Sequence, residues 1–182
     1  MKLKKFVLIV LLLSFCFSYS QVTNEGNPKS WDLNLSTDIE EKILPPFDIQ
    51  SLKDEDSQNE GKSGIPWRFG YSHTVDYGFD DGQWTILENG DRIWRILISS
   101  PGAISLNFIF DDFYMPKGGS LYLYSDDKSD LLGAYTSVQN QDSGMLGTWL
   151  VYGEKVWLEY YEPAEVIGEG RLHLSNITHG YR

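Results

Sequence analysis

Apolar and polar residues alternate in short runs from Gly64 onward, and the strongest run is Asp91–Phe110, DRIWRILISSPGAISLNFIF. In its first arm Trp94, Ile96 and Ile98 share one face, while Ile93, Arg95 and Leu97 share the other. Successive strand side chains point to opposite faces, so both faces of this arm carry apolar groups. In the second arm Ile104, Leu106, Phe108 and Phe110 alternate with Ala103, Ser105, Asn107 and Ile109. That is the pattern of a half-buried strand. Ser99-Ser100-Pro101-Gly102 supplies turn chemistry between the arms, since Pro fixes φ and Gly tolerates φ > 0. The run predicts a hairpin too apolar to stand alone, which a second layer must cover.

Further strands are predicted at Trp67–Tyr77, Gln83–Leu87, Leu121–Tyr124, Leu131–Thr136, Thr148–Val151, Lys155–Tyr161 and Arg171–Ile177. In Lys155–Tyr161, Val156, Leu158 and Tyr160 lie opposite Trp157, Glu159 and Tyr161; in the last strand Leu172, Leu174 and Asn176 lie opposite His173, Ser175 and Ile177. Turns fall at Phe79–Gly82, Asn89-Gly90, Asp111-Asp112 and Met115–Gly119, and Val138–Gly147 reads as a polar loop. About eight strands with no helical pattern predict an all-β fold, an antiparallel β-sandwich or jelly roll spanning 64–182. Residues 21–63 predict a loose N-terminal arm and acidic linker. Trp31–Leu35 and Phe47–Leu52 alternate weakly, Pro45-Pro46 separates them, and Lys53–Ser63 has no apolar residue and reads as an exposed loop. Phe47, Ile49 and Leu52 are the side chains with which such an arm would pack over the sandwich.

Residues 1–20 carry a different pattern. Lys2, Lys4 and Lys5 precede an apolar core at Phe6–Phe17, and Ser18 and Ser20 are small residues placed for cleavage before Gln21. This reads as a secretory signal peptide, too short for a stable membrane span after cleavage. The mature chain is expected to be secreted, through the periplasm to the exterior. A lipoprotein modified at Cys16 is the rival reading, disfavoured by the bulky Phe15 before it. Cys16 is the only cysteine, so a chain cleaved after Ser20 has no disulfide and depends on packing.

The formal net charge is −11, and removing the leader leaves 12 basic against 26 acidic residues. Such a surface repels phosphate backbones, and no nucleic-acid partner is expected. The 14% aromatic content demands a core.

No catalytic constellation is legible, and no nucleophile motif or metal-ligand spacing occurs. His173 falls within a strand pattern and reads as structural, whereas His73 and His179 are free to approach a serine in space. Three acidic pairs, Asp80-Asp81, Asp111-Asp112 and Asp126-Asp127, are weak calcium candidates, because Ca²⁺ takes six to eight oxygens. Turns also favour Asp for backbone reasons, and no other cofactor is implied. Trp67, Trp84, Trp94, Trp149 and Trp157 offer either a sugar-stacking platform or core filling; their place inside strand patterns favours the core.

The ordered residues also carry a family likeness. It runs through Pro46-Phe47-Asp48, Asp54-Glu55-Asp56, Arg68-Phe69-Gly70, Gly82-Gln83-Trp84, Ile93-Trp94-Arg95-Ile96, Ser100-Pro101-Gly102-Ala103 and Ser105-Leu106-Asn107. It continues through Met115-Pro116-Lys117-Gly118, Leu121-Tyr122-Leu123-Tyr124, Leu132-Gly133-Ala134-Tyr135-Thr136, Gly153-Glu154 and His179-Gly180-Tyr181-Arg182. In this order they resemble the N-terminal pro- or accessory region of secreted trypsin-like serine proteases of the lysyl-endopeptidase type. In that family the catalytic domain follows the His-Gly-Tyr-Arg ending. The family's catalytic His, Asp and Ser have no matching positions here. The resemblance thus implies a non-catalytic domain whose partner is the cognate protease domain, in cis or in trans. Apart from it, the leader pattern marks Ser20 and Gln21 as processing positions, and Arg182 invites processing by a trypsin-like activity. A stand-alone secreted module that binds carbohydrate or a cell surface is the alternative.

Overall fold

A computed structural model describes residues 24–182. The expected signal peptide, its expected cleavage site at Ser20–Gln21, and Cys16 lie outside the described residues. The fold is mostly β. Eleven strands are present among the described residues: β1 (Glu41–Ile43), β2 (Gly70–Tyr77), β3 (Gln83–Ile86), β4 (Arg92–Ser99), β5 (Ser105–Tyr114), β6 (Ser120–Ser125), β7 (Leu131–Tyr135), β8 (Leu146–Gly147), β9 (Val151–Tyr152), β10 (Lys155–Glu162) and β11 (Arg171–Gly180). One six-stranded sheet runs β1-β4-β10-β6-β7, with β3 also on β4; a five-stranded sheet runs β2-β11-β5-β8, with β9 also on β5. Every pairing is antiparallel except β1 with β4.

The two arms of Asp91–Phe110 do not form a hairpin. β4 lies in the six-stranded sheet and β5 in the five-stranded one. The Ser100–Ala103 connection carries the chain from one sheet to the other, turning through Gly102 at φ 83° with the Ala103 amide bonded to the Ser100 carbonyl. The arms therefore face each other across the core. Trp94, Ile96 and Ile98 meet Leu106, Phe108 and Phe110 in one buried cluster, joined by Leu121, Leu123, Val156, Leu158 and Tyr160. Each such side chain contributes roughly 1.5–3 kcal/mol by leaving water. The apolar residues on both faces of β4 have a simple reason: its outer face is covered as well. Leu97, Tyr122, Tyr124 and Trp157 form a second cluster, over which Trp31 and Ile39 of the N-terminal arm pack.

Two β-bulges shift the alternation. β5 pairs His173 with Asp112 and Leu174 with Phe110, which leaves Asp111 as the extra residue. The Asp111-Asp112 pair is therefore a bulge inside a strand rather than a turn after Phe110. After it Phe113 and Met115 return to the core. A register shift between Leu174 and Asn176 likewise brings Ile177, not Asn176, into line with Leu172 and Leu174. One extra residue reverses every later side chain, because the strand period is two.

The segment 49–59 is a helix, where alternation at Phe47–Leu52 and an exposed loop at Lys53–Ser63 were expected. Among the described residues two helices precede β2: a single turn, α1 (Lys29–Asp32), and α2 (Ile49–Asn59). The Asp48 carboxylate accepts the Ser51 amide at 3.0 Å and caps α2. The helix escapes a periodicity reading because its one buried residue is an acid, Asp56. An ion-pair network, not an apolar stripe, holds it down.

Candidate functional site

Four clusters of charged and aromatic side chains among the described residues bear on function. The first is the Asp56 knot. Asp56 Oδ1 accepts from Arg68 Nε at 2.9 Å, Oδ2 accepts from the Tyr181 hydroxyl at 2.7 Å, and Arg182 lies 2.5 Å from Oδ2. Arg68 also binds Glu55 at 2.8 Å, and the Arg182 guanidinium lies 5.7 Å from the centre of the Trp67 ring. Burial pushes the Asp56 carboxyl up, but hydrogen bonds from Tyr181, Arg182 and Arg68 outweigh it and bring the pKa to about 2. β11 ends at Gly180, so the sheet itself delivers Tyr181 and Arg182 to the helix. Arg182, singled out as a processing position, is thus a working part of the fold.

The second place joins His73, His179 and Ser100. Ser100 Oγ lies 2.7 Å from His179 Nδ1, and both residues are buried. His73 and His179 pack edge-on against Phe47, which stacks on Tyr71 at 4.4 Å. A groove of about 270 Å³ runs past this cluster, lined by Pro45, Pro46, Phe47, Ser100, Pro101 and His179. Burial lowers the pKa of both imidazoles, and for His179 the His73 and Lys53 charges add to it. A serine and an imidazole therefore do meet, as the sequence left open. Among the described residues no carboxylate orients the ring: Nε2 of His179 and Nε2 of His73 are buried without a hydrogen-bond partner. A triad needs that third group, and its nucleophile must reach substrate.

The third is a clamp on the outer face of β11. His173 Nδ1 lies 2.5 Å from Asp111 and Nε2 lies 2.7 Å from Asp76. Arg171 pairs with Asp112 at 2.8 Å beside it. Hydrogen bonds to Asp76 and Asp111 raise the His173 pKa. A raised pKa stabilises the fold below the unfolded value of about 6.5, and the gain disappears as pH rises through the folded value. His173→Gln should therefore lower the melting temperature slightly at pH 5.5 and leave it unchanged at pH 9. An equal loss at both pH values would mean that shape, not charge, supports β11 here. The clamp is exposed, so the effect is small.

The acidic pairs are dispersed and engaged. Asp81 accepts the Gly78 amide, Asp126 accepts the Trp157 indole N–H, and Asp127 accepts from Ser125 and Ser129. Asp80 is exposed in the turn before β3. Among the described residues no group of three or more His, Cys, Asp or Glu side chains is placed to hold a metal ion. Of the tryptophans, Trp94 and Trp157 are buried and Trp84 packs against the core under the Arg92 guanidinium, whereas Trp67 and Trp149 stay 67% and 64% exposed.

The fourth place lies beneath the arm, where α1 covers β4, β10 and β6. Sequence reasoning gave it no weight, because its central residue, Arg95, sits inside an apolar strand pattern. The signal was that same position: a charged residue flanked by Trp94 and Ile96 within a strand with two buried faces. No family model matches this chain, and no solved structure matches it significantly.

Proposed function

We propose that this chain is the non-catalytic pro- or accessory domain, an antiparallel β-sandwich, of a secreted trypsin-like serine endopeptidase of the lysyl-endopeptidase type. The observation that carries this reading is where the likeness falls. Ile93–Ile96 lies in β4, a strand with both faces buried, Ser100–Ala103 is the crossing between sheets, and Leu121–Tyr124 is the buried stretch of β6. His179–Arg182 closes the fold on Asp56, itself within the Asp54–Asp56 motif and bound by Arg68 of another. The shared residues are thus those that a common fold of this kind would need.

A strongly acidic domain of this kind would pair with a basic protease surface and delay activation, and such a contact is salt-sensitive. Added to the mature protease, the purified domain should slow peptide cleavage at 20 mM salt (roughly, within the unscreened range) and lose most of that effect at about 0.5 M. No inhibition at low salt would sink the propeptide reading. Exposed Trp67 and Trp149 favour a second reading, a glycan- or surface-binding module. Retention on insoluble polysaccharide that is lost in Trp67→Ala or Trp149→Ala would support it.

A further inference from the structure

We infer that the cavity between α1 and the outer face of β4, β10 and β6 is a binding site for a small carboxylate, with Arg95 as its anchor. The cavity measures about 160 Å³, and its lining includes Trp31, Arg95, Tyr124, Asp126, Lys128 and Trp157. Arg95 is only 4% exposed, yet its Nε has no hydrogen-bond partner and no carboxylate among the described residues forms an ion pair with it. A guanidinium taken out of water without an anion is strongly destabilising, so proteins pair such groups. The Trp31 indole N–H is likewise buried without an acceptor. The two residues that carry these unmet donors both line one cavity.

The neighbouring acids do not meet that need. Glu159 faces Arg95 across the β10–β4 ladder, but its two oxygens take the Ser30 amide at 2.9 Å and the Tyr124 hydroxyl at 3.2 Å. Asp126 accepts the Trp157 indole N–H at 2.8 Å. The cations are the groups left over. Arg95 lies 5.8 Å from the Trp157 ring centre, and the Lys128 ammonium lies 5.3 Å from that of Trp31. An acceptor-rich anion is therefore the complement of this wall.

Charge and size select the class. Glu159 and Asp126 stand close by without pairing to Arg95 or Lys128, so a dianion such as phosphate is repelled more strongly than a monoanion. The planar guanidinium fork matches a carboxylate through two parallel N–H···O bonds. The indole faces of Trp31 and Trp157 accept the short apolar stub that such an acid carries. The anchor, the walls and the volume together describe a small organic acid, either free or as the terminal carboxylate of a peptide. This inference does not depend on the protease reading above.

The secreted chain, labelled with ¹⁵N, would be titrated with acetate, N-acetylalanine, their amides acetamide and N-acetylalaninamide, and inorganic phosphate at pH 8. The two acids should shift the Trp31 indole and Arg95 Nε–H signals together and saturably, with Kd near ~1 mM, while the amides leave them still. Tighter binding of N-acetylalanine assigns the site to a peptide terminus, and tighter binding of acetate to a free acid; either supports the inference. Arg95→Gln should lose at least about tenfold in affinity, and Arg95→Lys, which keeps the charge without the fork, about fivefold. Trp31→Phe, at the rim, tests the same site should a buried Arg95 variant fail to fold. Equal binding of amides and acids, tighter binding of phosphate, unchanged binding in Arg95→Gln, or no saturation below about 50 mM would each overturn the inference.

Discussion

Replacing Arg92 with alanine is expected to destabilise the fold by about 3–5 kcal/mol, among the larger losses a single substitution produces. Its partner, Glu162, has a side chain only 1% exposed, and the two are ion-paired. Glu162 also accepts the Tyr160 hydroxyl at 3.0 Å and the Gly168 amide at 3.1 Å. Without the guanidinium, a buried carboxylate keeps two neutral donors and no counter-charge. The loss is compounded by packing, because the Arg92 guanidinium lies 4.0 Å from the centre of the Trp84 ring and shields it. Urea unfolding would measure it. The double variant Arg92→Ala/Glu162→Gln should recover part of the stability, since it removes the stranded charge and keeps the shape. A loss below about 1 kcal/mol in the single variant would place the pair among ordinary surface contacts.

The second large effect is expected at Asp56. Asp56→Asn should free three elements at once: helix α2, Arg68 and the Tyr181–Arg182 end of β11. Of these, Arg68 keeps other partners, the exposed Glu55 carboxylate and the Leu52 carbonyl. The expected result is a melting temperature lower by several degrees and rapid tryptic cutting in 49–62 and at Arg68, where the native protein resists. The sign of the pH dependence follows from the lowered carboxyl. A pKa held at about 2 in the fold, against about 3.9 in the unfolded chain, adds stability that is complete above the unfolded value and lost as pH falls toward about 2. Native protein should therefore lose its protection against pepsin between about pH 4 and pH 2, while Asp56→Asn shows little further change across that window. A variant that keeps both its protection and the native acid profile would show that α2 is held by other means.

Strands with strict alternation were legible from sequence, and β4, β6 and β10 fall where the pattern places them. Burial on both sides of β4 was also legible. What covers its second face was not, since the arm's Trp31 and Ile39 are scattered among polar residues. Pairing failed for a physical reason. Pro101-Gly102 turns a chain equally well within one sheet or between two, and only the packing of both apolar faces decides. The bulges at Asp111 and near Ser175 escaped because a phase change of one residue resembles a strand end. Helix α2 escaped because its docking residue is an acid whose partners lie 12 to 126 positions away, a separation no local window spans. The same holds for the sites: Ser100 and His179 were visible as residues, but their meeting and the missing orienting acid were not.

The position of β11 between β2 and β5 has a mechanical consequence. A strand flanked on both sides along its length resists an axial pull in shear, with many hydrogen bonds loaded together rather than opened one by one. Tension applied at Arg182 meets the Asp56 knot first and then that ladder. The same pull on β8, a two-residue strand at the sheet margin, would peel it away.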